Sequence, residues 1–178
     1  ITYGSKDAIA LCDKIGFAMA DTAIAESARL AKEHGPFPKC NIQEITTTPY
    51  FLKNTSQATR DLVKKYGLRN SQLLTIAPTG TLSTMLGISG GIEPIFANYY
   101  ERKTESLHGK DVYYKVYTPI VEHFMKEHNI MDDSDLPEYF ITAMTLNYKQ
   151  RIQMQAIWQT HIDASISSTV NVPNQFTV

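Results

Sequence analysis

Cysteine is scarce in this chain. Among 178 residues the only thiols are Cys12 and Cys40, far apart and outside any CxxC or Cys/His ligand spacing, so no metal site is expected and the usage fits a reducing, cytoplasmic compartment. An excess of charge is also missing: 17 Lys and Arg stand against 18 Asp and Glu, a formal net charge of −1. That balance gives no electrostatic footprint for gripping DNA or RNA as a polymer, so any nucleotide chemistry must come from a local site. No apolar run approaches the roughly 20 residues needed to span a bilayer, and no basic region leads into an apolar stretch with a small-residue cleavage site. A soluble chain without a membrane partner is the expectation. Repeats and low-complexity tracts are absent too, and the length suits one domain with a real core. Both ends look cut: Ile1 is not an initiator Met, and the chain stops soon after the strand-like run Ser168-Thr169-Val170-Asn171-Val172.

What the chain does contain is punctuated helix and strand. Ser5 is a plausible N-cap, Ala is abundant from there to His34, and His34-Gly35-Pro36 supplies a stop. The apolar residues Ala8, Ile9, Leu11, Cys12, Ile15, Phe17, Met19 and Ala20 lie all round that helix, which predicts burial by neighbours on more than one side. Gly35 to Asn54 reads as a loop with Pro36, Pro38 and Pro49, and a second helix is expected from Thr55 to Tyr66, stopped by Gly67. Leu73 to Ala77 is a short β-favouring run, read as a buried strand. Thr81 to Leu86 is expected to open a short helix. Ile92 to Tyr100 and Val112 to Tyr117 read as extended segments around an exposed, charged loop, Glu101 to Asp111. Thr118-Pro119 begins a helix reaching about His128. Asp132 to Asp135 is a solvated connector. A last helix is expected from Tyr148 to Ser165, with Met154, Ile157, Trp158, His161, Ile162 and Ser165 on one face, followed by a strand from Thr169 to Val172. Helices alternating with strands imply an α/β architecture with a largely parallel sheet or barrel.

The most informative stretch is Leu74-Thr75-Ile76-Ala77-Pro78-Thr79-Gly80-Thr81-Leu82-Ser83. A strand delivers the chain to a Pro-Thr-Gly turn and a helix then starts, so the first N–H groups of the helix have no internal partner. Such a place suits an anion. Gly80 allows close approach of a phosphate, and Thr79, Thr81 and Ser83 can add hydroxyl donors. It is not the GxxxxGK[ST] loop, because no Lys follows the glycine. On its own the pattern fits either a capped turn or a phosphate site.

Other polar residues carry blander readings. Cys12, on an apolar helix, and Cys40, in a loop, read as inert thiols. His123 and His128, five apart, do not share a helix face, and no Glu-x-x-His is present for a di-iron carboxylate site. His161 beside Trp158 reads as a core or edge histidine, Glu93 as a strand-end carboxylate with some prospect of approaching a substrate, and Tyr99 and Tyr100 as packing residues.

The segment Ile76 to Ser83, followed by Gly87-Ile88-Ser89-Gly90-Gly91-Ile92-Glu93-Pro94-Ile95-Phe96-Ala97, resembles the phosphate-loop region of the ribonucleotide reductase catalytic barrel. The Pro-Thr-Gly and Gly-Ile-Glu-Pro forms are most like the adenosylcobalamin-dependent class. Glu26 to Ala31, Gly35 to Pro38, Leu136 to Ala143, Gln153 to Ala156 and Ser165 to Pro173 resemble further pieces of the family in the same order, so nearly the whole chain is covered. The resemblance implies one domain over 1–178, part of a ten-stranded α/β barrel in which a thiyl radical removes the ribose 3′ hydrogen and a cysteine pair reduces the 2′ position. It implies a substrate-phosphate loop at Pro78, Thr79, Gly80, Thr81 and Leu82, with Ser83 added, acting through binding and orientation. A ribonucleoside di- or triphosphate, adenosylcobalamin, and a thiol reductant such as thioredoxin follow for the full enzyme, and a homodimer is left open. No catalytic residue is assigned here. Nothing in this sequence matches the family's Asn-x-Cys-x-Glu pattern, Ser168 stands where the family often has a lysine, and most of the cobalamin pocket is expected on other segments. The chain alone is therefore expected to show no turnover. The rival readings are a free-standing nucleotide- or phosphate-binding module without catalysis, and an interaction protein in which the loop is merely a turn.

Overall fold

The computed structural model describes residues 1–105, 111–172 and 174–177. The chain forms two compact units, one of residues 4–77 with 152–167, the other of 1–3 with 78–151 and 168–178. They are called here the helical unit and the ribbon unit.

The helical unit starts with α1 (Lys6–His34), capped where expected: the Ser5 side chain accepts the Ala8 N–H, and the Gly35 N–H donates to the Ala31 carbonyl at φ 78°. Its buried stripe is made of Ala8, Gly16, Ala20, Ile24, Ser27, Ala28 and Ala31, all small except Ile24, which lets neighbours pack close. Leu11, Ile15, Phe17 and Met19 are exposed, so this helix is covered on one side rather than all round.

The stretch expected to be a loop holds two short helices, α2 (Ile42–Thr47) and α3 (Pro49–Asn54). Asn41 caps the first, accepting from Glu44 N–H. Thr48 caps the second, accepting from Phe51 N–H, with Pro49 in the first turn. α4 (Gln57–Tyr66) is capped by Ser56 and closed by Gly67. Phe51, Val63, Leu68, Ile24 and Ala28 form the core.

The expected strand Leu73–Ala77 makes a single parallel bridge, Ile76 with Ile166, extended by Ala164 N–H to Leu74 O at 3.1 Å and Ser167 N–H to Ile76 O at 3.2 Å. Asp163 fixes its start, accepting from the Leu73 and Leu74 N–H groups at 2.8 and 2.7 Å. A single bridge is what remains of a strand whose other edge has no protein neighbour among the described residues.

Asp21 of α1 ties this unit together by accepting the Ser56 N–H at 2.8 Å. Burial alone would push its carboxyl up, but hydrogen bonds from Thr59 and Ser56 outweigh that and hold it below the ordinary value of 3.8. A depressed carboxylate contributes stability that is present above the ordinary value and lost as pH falls through the lower folded value. Asp21→Asn is thus expected to cost about 1 kcal/mol at pH 7, the low end for a charged hydrogen bond because the group is partly solvated. The difference from the parent should vanish in acid. Urea melts at neutral and acid pH check it; an equal loss at both would contradict the linkage.

The ribbon unit contains α5 (Gly80–Leu86), strands β1 (Tyr99–Glu105) and β2 (Asp111–Tyr117), and α6 (Pro119–Glu127). The strands pair antiparallel from Tyr99–Tyr117 to Glu105–Asp111. They thus take in the ends of the expected charged loop, whose residues 106–110 lie outside the described set. The ribbon begins only at Tyr99, because Ile92 to Asn98 turn rather than pair. Asp133–Asp135 is a single 3-10 turn. α7 (Tyr148–Gln159) stops six residues short of the expected Ser165. Thr160 N–H is shared between the Ala156 and Ile157 carbonyls as the helix tightens, and Asp163 is taken up by Leu73 and Leu74. Thr169–Val172 is extended but joins no ladder among the described residues. The chain is thus mostly helical with a small two-stranded sheet, and no described helix is long and apolar enough to cross a membrane.

Candidate functional site

The turn Pro78-Thr79-Gly80 leads into α5 through an uncommon backbone state. Thr79 sits at φ 49°, ψ 25°, the left-handed region, and its side chain does not cap the helix. For a β-branched residue that state costs on the order of 1–2 kcal/mol. Two bonds hold it: the Thr79 carbonyl accepts the Ser83 N–H at 2.9 Å, and Thr79 Oγ1 accepts the Gly91 N–H at 3.2 Å. Among the described residues no protein acceptor meets the N–H groups of Gly80, Thr81 and Leu82. All three residues are exposed, and a Cβ built on Gly80 would touch nothing within 4 Å. The start of α5 is open.

The hydroxyls are less free than the sequence suggests. Ser83 is buried and donates to the Gly80 carbonyl at 2.9 Å, as does Thr84. Thr79 has its oxygen engaged by Gly91 but keeps its proton, and Thr81 is exposed. Thr79→Val should lower stability by about 1 kcal/mol, since it removes the acceptor and keeps the strain, whereas Thr79→Asn, which tolerates this backbone state and carries an oxygen, should not. Thermal melts of the two variants separate these effects; equal losses would mean the Gly91 bond contributes nothing.

A cleft of about 680 Å³ adjoins the turn, lined by Pro78, Gly80 and Ser83 but not by Thr79, Thr81 or Leu82, with Phe96, Tyr99 and Tyr100 among its other walls. Gly90 closes against the turn: a Cβ there would lie 2.8 Å from Ser83 Oγ and 3.0 Å from the Pro78 carbonyl, so only glycine fits.

Residues 1–178, the whole chain, match the model of the family described as ribonucleotide reductase, barrel domain. The chain belongs to that family. Its similarity to the vitamin B12-dependent ribonucleoside-diphosphate reductase of Mycobacterium tuberculosis is 27% identity over 100% of this chain and 25% of the relative. For the protein of the same name from Thermoplasma acidophilum it is 27% over 99% of this chain and 23% of the relative. The ribonucleoside-diphosphate reductase subunit alpha of Helicobacter pylori is 33% identical over 60% of the chain and 16% of the relative. The chain thus spans about a quarter of the length of the B12-dependent relatives it matches.

Within this reductase barrel piece the remaining candidates fall into place. Glu93, of the Gly-Ile-Glu-Pro run, is gripped in the ribbon unit. Its Oε1 accepts from Arg151 Nη2 at 3.1 Å and from the Thr169 N–H at 2.7 Å, while Arg151 Nε donates to the Thr169 carbonyl at 3.2 Å. Arg151 is 4% exposed, and sequence reading missed it. Tyr99 packs edge-on against Tyr117 and lies 4.5 Å beneath Lys115 Nζ, a packing role. His123 pairs with Glu127 at 3.3 Å, and His128 stacks on Phe124.

In the helical unit His161 is 1% exposed, and its Nδ1 faces Asn54 Oδ1 while Nε2 lies 2.8 Å from Asp13 Oδ1. The Asn54 amide orientation is fixed, since Nδ2 donates to the Tyr50 and Thr160 carbonyls at 3.0 and 2.8 Å. Both ring nitrogens therefore face side-chain oxygens. Tyr50, which donates to the His161 carbonyl at 3.1 Å, has its phenol pushed up to about 12 by burial and by the nearby Asp163 charge. Burial also raises the Cys12 thiol, against a hydrogen bond with Trp158, in keeping with an inert thiol. Cys40 Sγ accepts the Leu68 N–H at 3.4 Å.

Proposed function

We propose that the full-length protein reduces ribonucleotides to deoxyribonucleotides, and that this chain contributes the loop holding the substrate's phosphates, Pro78, Thr79, Gly80, Thr81, Leu82 and Ser83. The observation that carries the reading is the open start of α5, with the N–H groups of Gly80, Thr81 and Leu82 facing no protein acceptor, in a chain matched over its whole length by the reductase barrel family. Backbone amides and the Thr79 and Thr81 hydroxyls do the binding; Pro78 and Ser83 shape the turn. Holding a di- or triphosphate here lets remote binding energy place the ribose for chemistry performed elsewhere in the protein. The chain is read as part of one domain, a portion of a ten-stranded α/β barrel whose isolated Ile76–Ile166 bridge and extended Thr169–Val172 run would be completed by neighbouring strands.

The relatives matched over nearly the whole chain are named B12-dependent, which supports adenosylcobalamin as the source of the radical, with a thiol reductant restoring the cysteines. The described residues do not fit the cofactor's own seat. In the cleft Ser83 and Thr84 are already bonded to the Gly80 carbonyl and Glu93 to Arg151, while Ile88, Pro94, Ile95, Phe96 and Ala97 add apolar wall. A corrinoid rim of amides calls for partners spread round a broad shelf.

Thr81→Asp tests the loop. An exposed acidic residue in the first turn of a helix leaves stability unchanged or raises it by about 0.5 kcal/mol, yet it sets a negative charge where the phosphate would lie. In the full-length protein, KM for a ribonucleoside diphosphate should rise at least about tenfold, roughly 1.4 kcal/mol, with a smaller change in kcat. A KM within twofold of the parent would sink the phosphate role.

A further inference from the structure

We propose that Arg151 is a positioning residue for the cleft, acting through Glu93 to set where the Gly90–Gly91 turn meets Thr79; the inference rests on the reading that this cleft takes the nucleotide's phosphates. The path is short and every link is a hydrogen bond or a close contact. The buried Arg151 guanidinium makes a fork, with Nη2 on Glu93 Oε1 at 3.1 Å and Nε on the Thr169 carbonyl at 3.2 Å. The Thr169 N–H closes the triangle by donating to the same Glu93 oxygen at 2.7 Å. Glu93 is therefore fixed in direction as well as in distance, which a planar fork achieves and a point charge does not.

From Glu93 the constraint runs back along the chain. Pro94 restricts Glu93 to extended backbone, and the Glu93 N–H donates to the Gly90 carbonyl at 3.3 Å, folding 90–93 into a turn. That turn presents the Gly91 N–H to Thr79 Oγ1 at 3.2 Å and presses Gly90 against Ser83 and the Pro78 carbonyl. Thr79 is the residue in the left-handed state that opens α5. Among the described contacts Arg151 reaches Glu93 and Thr169, and the route from Glu93 to Thr79 runs through Gly90 and Gly91. Tyr3, whose hydroxyl donates to the Ile92 carbonyl, steadies the same turn from another side.

The test uses the full-length protein with Arg151→Met, Arg151→Lys and Glu93→Gln, and reads two quantities. One is amide hydrogen exchange at Gly91, with the Gly87 N–H, bonded to Thr84 O at 3.2 Å, as an internal reference. The other is KM against kcat for a ribonucleoside diphosphate, with inorganic pyrophosphate as a competing probe. R151M should speed exchange at Gly91 about tenfold while leaving Gly87 within twofold, and raise KM about tenfold with little change in kcat. R151K, keeping charge without the fork, should recover only part of each. In a Thr79→Val background the effect of R151M on KM should shrink, because the relay has already lost its last link. Unchanged Gly91 exchange in folded R151M overturns the inference, as does equal acceleration at Gly91 and Gly87, the mark of a merely structural residue. Should R151M fail to fold, E93Q decides: faster exchange at Gly91 supports the relay, and parental exchange overturns it. Gly91 responding in a protein that shows no competition by pyrophosphate would uphold the relay and refute the phosphate reading instead.

Discussion

Gly16→Ala is expected to destabilise the helical unit by about 2 kcal/mol, although alanine is the better helix former. A Cβ at Gly16 would stand 2.4 Å from His161 Cδ2, 2.7 Å from Cγ and 2.9 Å from Cβ, distances no relaxed side chain tolerates. The ring cannot swing away easily, because Asn54 and Asp13 hold its two nitrogens and it is 1% exposed. Forcing an extra methyl into such a site costs about 3 kcal/mol, and the gain of Ala over Gly in a helix interior returns about 1 kcal/mol. Urea denaturation followed by far-UV circular dichroism measures the net. The penalty should shrink in an His161→Ala background, which removes the contacts to Cγ and Cδ2 and leaves only the 2.9 Å contact to Cβ. A stabilised G16A protein would mean that the ring is not where it is described.

Asn54→Leu should be costlier still, about 3 kcal/mol. The side chain is fully buried and serves as a hub, accepting from His161 Nδ1 and donating to the Tyr50 and Thr160 carbonyls. Leucine roughly fills the volume but strands the imidazole proton and the Thr160 carbonyl away from water. Each stranded group costs about 1–3 kcal/mol. Because Gly16, His161 and Asn54 meet at one point, G16A and N54L should not add: once the ring is released, the methyl has less to collide with. A double variant whose loss equals the sum would show that the ring stays pinned without Asn54, contrary to the network drawn here.

The features that could be read from the sequence are those settled within one helical turn. Ser5, Gly35 and Gly67 mark helix ends because their capping partners lie three or four residues away, and Pro119 marks the start of α6 by its fixed backbone although the Thr118 side chain makes no cap bond. The same reasoning applied to Thr48-Pro49 would have located α3, which the surrounding prolines disguised as loop. The turn into a helix at Pro78–Ser83 was legible for this reason too, to within one residue: the helix expected from Thr81 opens at Gly80. Its hydroxyls were not, since the direction of the Ser83 side chain depends on the helix it sits in.

What the chain's residues determined unaided is the placement of several helix ends, those of α1, α4 and the start of α6, and membership of a family through several motifs in order. The tertiary structure alone decided the rest: that Arg151 grips Glu93 from 58 positions away, that His161 meets Asn54 across 107 positions, and that Thr79 is held left-handed by Gly91. Local punctuation rests on sterics and hydrogen bonds that neighbouring residues supply themselves. A buried charge, a pinned ring or a strand ladder takes its free energy from a partner distant in the chain, and no stretch of sequence names that partner.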